Sequence, residues 1–184
     1  MNRLENLIGG DTIKKIKEVL PAILSGERLF LEESNSYEDE HSTNAFVGAL
    51  LAWDYAKRHR NERITPQYVK DIHFIFMHLI YQDGGEFRTV PIYVGSKEDT
   101  YSPEKVDDAM KEWCERFNDP KTSEEEIRQE HIKFLKIHPF EDGNGRTARI
   151  LMNIQRLKAG HGLLIVTKNS EYDEGRGDYE KWFD

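Results

Sequence analysis

Apolar residues recur at helical spacing along most of this chain, and a start signal opens several of those runs. Ile13, Ile16, Val19, Leu20 and Leu24 share one face over residues 11–24, and Phe46, Leu50, Leu51, Trp53 and Tyr55 repeat the pattern over 44–58. Thr65-Pro66 pairs an N-cap hydroxyl with proline at the first helical position, ahead of Val69, Ile72, Ile75, Phe76 and Leu79. Ser102-Pro103 repeats that start before Val106, Met110, Trp113 and Phe117. Ser123 and Glu126 have capping-box spacing ahead of Ile127, His131, Phe134 and Leu135, a helix that ends at Pro139. A further helix runs from about Arg146 to Lys158, with Gly160 as its stop. The spacing predicts a mainly α chain. Its 184 residues suit one domain with a sizeable core.

Two segments read differently. Residues 84–95, GGEFRTVPIYVG, begin and end in glycine and are rich in β-branched and aromatic residues, so they read as a short β-hairpin or extended flap. Pro91 confines that segment to an edge. Residues 163–166, LLIV, read as a short strand or a buried turn, and 178–183 as a last helical turn or two.

Composition narrows the function classes. The formal net charge of −8 is unsuited to holding nucleic acid by phosphate neutralisation. No apolar run reaches the roughly 18 residues of a membrane span. The N-terminus has no signal-peptide core, and the single Cys114 forbids an internal disulfide, which fits a reducing, cytoplasmic setting. Any phosphate binding must be local.

Such a local site is written in His138-Pro139-Phe140-Glu141-Asp142-Gly143-Asn144-Gly145-Arg146-Thr147-Ala148-Arg149. Gly143, Asn144 and Gly145 tolerate positive φ and can aim several N–H groups into one concavity at a helix start, an anion nest. Arg146 and Arg149 stand three apart on the opening turn, where the helix dipole disfavours cations unless an anion is bound. Asp142 beside the nest suits the single-carboxylate anchoring of Mg²⁺, and His138 titrates where a general base must. Phe140 serves as the loop's apolar anchor. No Walker phosphate loop occurs. His131 and His138 lack further ligands at zinc spacing, and His131 reads as a core-facing residue.

These twelve residues match the signature of the Fic family at every fixed position, and the resemblance extends over roughly residues 30–183, leaving 1–29 as an N-terminal helical extension. The resemblance implies a single Fic-type helical domain with a short β-hairpin flap. It implies AMP transfer from ATP to a Tyr, Thr or Ser hydroxyl of a target protein, with His138 as base, Asp142 on Mg²⁺, and Gly143, Asn144, Gly145, Arg146 and Arg149 on the phosphates. Phe87, Arg88, Thr89, Val90 and Ile92 of the flap would dock the target. Gly145 leans toward nucleotidyl transfer, while UMP or phosphocholine transfer and a non-catalytic helical module are the alternatives. Self-modification and a homodimer are compatible with the family pattern. So is removal of AMP by the same site.

The family also carries an inhibitory motif, Ser/Thr-x-x-x-Glu-Gly/Asn, whose glutamate pairs with the second signature arginine. Ser34 and Glu38 match it upstream, on an expected helix of about 34–43, with Asp39 departing from the last position. Ser170 and Glu174 match it fully near the C-terminus, in a glycine-containing stretch. Glu38 is preferred, because the Phe46–Ala49–Leu50 stripe and then the flap follow it in the family's order.

Overall fold

A computed structural model of the chain describes residues 2–82, 84–93, 101–167, 179 and 181–183. Eight α-helices appear among them: α1 (Arg3–Ile8), α2 (Thr12–Val19), α3 (Ser25–Tyr37), α4 (Thr43–Arg58), α5 (Pro66–Tyr81), α6 (Val106–Asn118), α7 (Glu124–Ile137) and α8 (Asn144–Lys158). Short 3-10 turns cover Leu20–Ala22, Pro103–Lys105 and Lys181–Phe183.

The local start signals act as the sequence predicts. The Thr65 side chain accepts from the Tyr68 amide with Pro66 at the first turn, and Ser123 and Glu126 close a reciprocal capping box. Ser102 makes no side-chain cap, and its proline opens a 3-10 turn that passes into α6.

α8 is the axis of the domain. It packs against α3, α4, α5 and α7, and almost every residue from Asn144 to Gln155 is buried. A helix covered on all sides cannot be amphipathic in the ordinary way, which is why polar Arg146, Thr147, Arg149 and Asn153 lie inside. α4 and α5 form the most extensive helix pair, and α1 and α2 pack on them through Leu4, Ile8 and Val19. α3 is pinned to α4 at its start: buried Glu27 accepts from Trp53 Nε1 at 3.0 Å and from Lys57 Nζ at 2.7 Å. Burial alone would raise the Glu27 pKa, but the Lys57, Leu24 and Trp53 hydrogen bonds outweigh it and hold the carboxyl below its usual value. That anchor aims the other end of α3 at the start of α8.

The β-hairpin expected over 84–95 is not seen among the described residues. Residues 84–93 contain no strand, none occurs anywhere among the described residues, and 94–95 lie outside them. The reason is where the segment's hydrogen bonds go. The Arg88 amide donates to Pro139 O at 2.9 Å, so its ladder partner is the loop after α7 and not a returning strand. Gly84 and Gly85 bend the entry with φ of 113° and 81°, and Pro91 has no N–H to offer. Residues 163–166 also form no strand: the Asn153 amide brackets Leu164, donating to its carbonyl at 3.0 Å and accepting from its N–H at 2.7 Å. No helix of the described residues is long and apolar enough to cross a membrane.

Candidate active site

The twelve-residue stretch forms one loop between two helix ends. His138 caps α7 in the left-handed region (φ 51°, ψ 64°), and the turn it makes redirects the chain. A non-glycine residue held there is uncommon, and such backbone strain concentrates at functional sites. Phe140 is fully buried and anchors the loop. Asn144 closes it, accepting from the Phe140 amide at 2.9 Å and donating to the Phe140 carbonyl at 2.8 Å. The Asn144 side chain is therefore consumed in shaping the loop, and only its backbone is left for an anion.

Gly143, with φ 73°, is the N-cap of α8 and supplies no side-chain cap. The opening N–H groups of a central helix thus start uncapped, the arrangement that attracts anions. Asp142 stands beside them, exposed, with Oδ1 accepting from the Gly143 amide at 2.6 Å and Oδ2 3.6 Å from Arg146 Nη2.

The two arginines are in different states. Arg146 is buried, its guanidinium 4.4 Å from the Phe76 ring centroid, and burial above all pulls its pKa down. Its Nε and Nη1 have no partner among the described residues. Buried orphan donors cost stability unless something accepts from them. Arg149, 1% exposed, is engaged by α3: Nε donates to Ser34 Oγ at 2.9 Å, and Nη2 to Ser34 O at 2.9 Å and to Glu38 Oε1 at 2.7 Å. Ser34 lies within α3, and Glu38 is its C-cap. A Cβ on Gly145 would stand 2.3 Å from Glu38 Oε1, so the absence of a side chain at 145 is what lets the carboxylate reach over the start of α8.

His138 is partly buried. Its Nδ1 lies 3.3 Å from Leu135 O, a carbonyl that can only accept, which places the proton on Nδ1 and leaves Nε2 as the basic nitrogen. Burial lowers its pKa from the usual 6.5. The Leu135 contact opposes the shift, the Arg88 charge adds to it, and Glu38 and Asp142 oppose it. The imidazole is neutral at neutral pH.

Of the residues expected to dock a target, Phe87 and Arg88 face inward. Phe87 packs 5.4 Å from Phe140, and Arg88 donates to His138 O at 2.7 Å, to Val90 O at 3.0 Å and to Tyr101 O. Thr89 and Val90 are exposed and Ile92 is half-buried. Ser170 and Glu174, the second inhibitory pair, lie outside the described residues. His131 is buried, 2.9 Å from the Tyr179 hydroxyl, with its pKa pushed down to about 3 chiefly by desolvation, so it is a neutral core residue. No group of three metal-ligating side chains occurs among the described residues. The donor set nonetheless fits Mg²⁺ held through one carboxylate and substrate phosphates: Asp142 is exposed beside uncapped amides and two unpartnered guanidinium nitrogens.

A Fic/DOC family model matches residues 63–155. The protein adenylyltransferase Fic of Culex quinquefasciatus is 32% identical over 146 residues, 73% of this chain and 28% of that protein. The protein adenylyltransferase fic-1 of Caenorhabditis elegans is 36% identical over 96 residues, 49% of this chain and 19% of that protein. The chain thus spans less than a third of the length of these relatives. A Fic domain containing signaling protein from Bacteroides thetaiotaomicron shares the fold with a TM-score of 0.66 at 18% identity, covering 93% of this chain and 79% of that one. The structure of C. elegans Fic-1 does so with a TM-score of 0.61 at 20% identity, covering 88% of this chain and 57% of that one.

Proposed function

The chain belongs to the Fic/DOC family, and on that premise we propose that it is a protein adenylyltransferase held in check by its own Glu38. The observation that carries this reading is the pair of unpartnered donors on buried Arg146, one helical turn from an Arg149 whose Nη2 is occupied by a carboxylate.

ATP is the substrate. The uncapped amides at the start of α8 and Arg146 take its phosphate oxygens in a site where water is largely excluded and each charge-assisted bond is correspondingly strong. Asp142 would hold the Mg²⁺, and that ion, when bound, supplies charge neutralisation along the polyphosphate. His138 Nε2 removes the proton from a Tyr, Thr or Ser hydroxyl of the target. The freed oxygen forms a bond to the α-phosphorus, the bond from that phosphorus to the bridging oxygen of the leaving pyrophosphate breaks, and the proton stays on His138. The extended target segment lies along residues 89–93, exposed except for half-buried Ile92, where backbone pairing carries little side-chain information.

Glu38 competes for this site. Its carboxylate takes the Arg149 fork that an outer phosphate needs, and with its side chain 36% exposed it can withdraw into water. Ser34 continues to hold Arg149 in place when it does.

Incubation of Glu38→Gly protein with ATP, UTP or CDP-choline, each labelled in the transferred group, tests the reading. Label transferred to protein from ATP, and none with His138→Ala, is the expected result. Transfer from UTP or CDP-choline in preference to ATP moves the chain to another donor. Transfer by His138→Ala at the parental rate removes His138 as base.

A further inference from the structure

His73 lies on α5, outside the signature loop. It sits in the buried face of α5, 4% exposed, directly beneath the signature loop. Its ring stacks on Phe140 with centroids 3.6 Å apart and planes 6° from parallel. Both ring nitrogens are engaged. Nδ1 accepts from the Gly85 amide at 2.8 Å, and Nε2 faces the Asp142 carbonyl at 2.9 Å. An amide can only donate and a carbonyl can only accept, so the two contacts together require the neutral ring with its hydrogen on Nε2. A Cβ on Gly143 would come within 3.1 Å of Nε2, so the nest glycine is pressed against the same ring.

We propose that His73 is a positioning residue whose two ring nitrogens bind the root of the flap, at Gly85, to the main chain of Asp142, and so fix the carboxylate meant for the metal relative to the segment that receives the target. The catalytic significance rests on the adenylyltransferase reading, whereas the coupling itself does not. Asp142 is exposed, and among the described residues its side chain meets only the Gly143 amide and, loosely, Arg146. Its orientation must come from its backbone, and His73 holds that backbone on the side facing the core. Arg88 ties the same flap to the other limb of the loop, at Ile137, His138 and Pro139. The flap is thus fastened on both sides of the turn, and displacement of one end is transmitted to the other.

The two nitrogens can be separated by substitution. Asn presents its amide oxygen near the position of Nδ1 and Gln presents its amide nitrogen near that of Nε2, so His73→Asn keeps the Gly85 arm, His73→Gln keeps the Asp142 arm, and His73→Leu keeps neither. The first measurement is amide hydrogen exchange at Gly85 and Gly143 in the ligand-free protein. Exchange should rise at both in His73→Leu, at Gly85 alone in His73→Gln, and at Gly143 alone in His73→Asn. The second is Mn²⁺ titration in the presence of ATP, in a Glu38→Gly background. His73→Leu should weaken Mn²⁺ binding about 10–100-fold, the range for loss of an outer-shell partner, with His73→Gln recovering most of it. Should His73→Leu fail to fold, the Gln and Asn pair carries the test alone. Exchange at Gly143 that is the same in His73→Gln and His73→Asn overturns the proposal, as does parental Mn²⁺ affinity in His73→Leu. Absence of AMP transfer by Glu38→Gly protein, with the exchange pattern as expected, would sink the enzymatic reading and leave the coupling standing.

Discussion

Two guanidinium groups one helical turn apart on α8 are buried to a similar depth and treated in opposite ways. Arg149 is held by α3, whose Ser34 and Glu38 accept from its Nε and Nη2. Arg146, facing the loop, keeps two buried donors unpartnered. The difference teaches where an interior charge is structural and where it is waiting. A buried cation satisfied by the chain's own oxygens holds two helices together. A buried cation left short of protein acceptors carries a cost that an incoming anion can offset.

Removal of the base should give the largest effect and leave this comparison intact. In a Glu38→Gly background, His138→Ala is expected to lower AMP transfer by about 10²–10⁴-fold, the usual share of general base catalysis, while ATP–Mg²⁺ affinity by calorimetry stays at the parental value. Loss of binding together with transfer would mean that His138 shapes the cradle and does not serve as its base.

Opening the closed side comes next. Glu38→Gly removes one charge-assisted hydrogen bond, about 1.5–3 kcal/mol, and should raise AMP incorporation by about 10–100-fold. Gly145→Ala should do the same in milder form, because the added methyl stands where the Glu38 carboxylate reaches. Both are read as label incorporated per protein at saturating ATP.

The sharpest contrast is in stability. Arg146→Met replaces orphan donors by an apolar chain and should raise the unfolding free energy by about 1 kcal/mol while weakening ATP binding at least about tenfold. Arg149→Met strands buried Ser34 and should lower it by about 1–3 kcal/mol. Denaturant melts of the two variants should therefore move in opposite directions. Destabilisation by both would erase the distinction between them.

The smallest effect is in pH. The His138 pKa is lowered, chiefly by burial, so its neutral form is favoured in the fold. Activity should be flat through neutral pH and fall only below about 6.5, the unperturbed value. Because the unfolded chain takes up this proton first as pH falls, His138 contributes stability above that value, and the contribution is lost as pH drops toward the folded pKa.

The helices were legible because their signals are local: Thr65-Pro66 and Ser123 with Glu126 work within four residues of themselves. The signature loop was legible as a set of chemical types for the same reason. Residues 84–95 were misread because their β-like composition says nothing of partners, and the amide that matters, that of Arg88, bonds Pro139, far along the chain. His73 was invisible for a related reason. A histidine on the apolar face of a helix reads as core, and only the folded chain puts Gly85 and Asp142 at its two nitrogens. The loop-closing work of the Asn144 side chain on Phe140 was not legible, because the nest reading concerns only its backbone N–H. The closeness of Glu38 to Gly145 depends on the tilt of α3, which Glu27 and Lys57 set from its far end.

The central claim is that the start of α8 seats a nucleotide once Glu38 leaves Arg149. Intact-protein mass spectrometry of Glu38→Gly, incubated with ATP and Mg²⁺ alone and with a cell lysate, tests it directly. The account predicts covalent AMP on the protein itself or on a lysate protein, absent when His138→Ala is added to the variant. Protein unmodified under both conditions, with no ATP binding detectable by calorimetry, would contradict it.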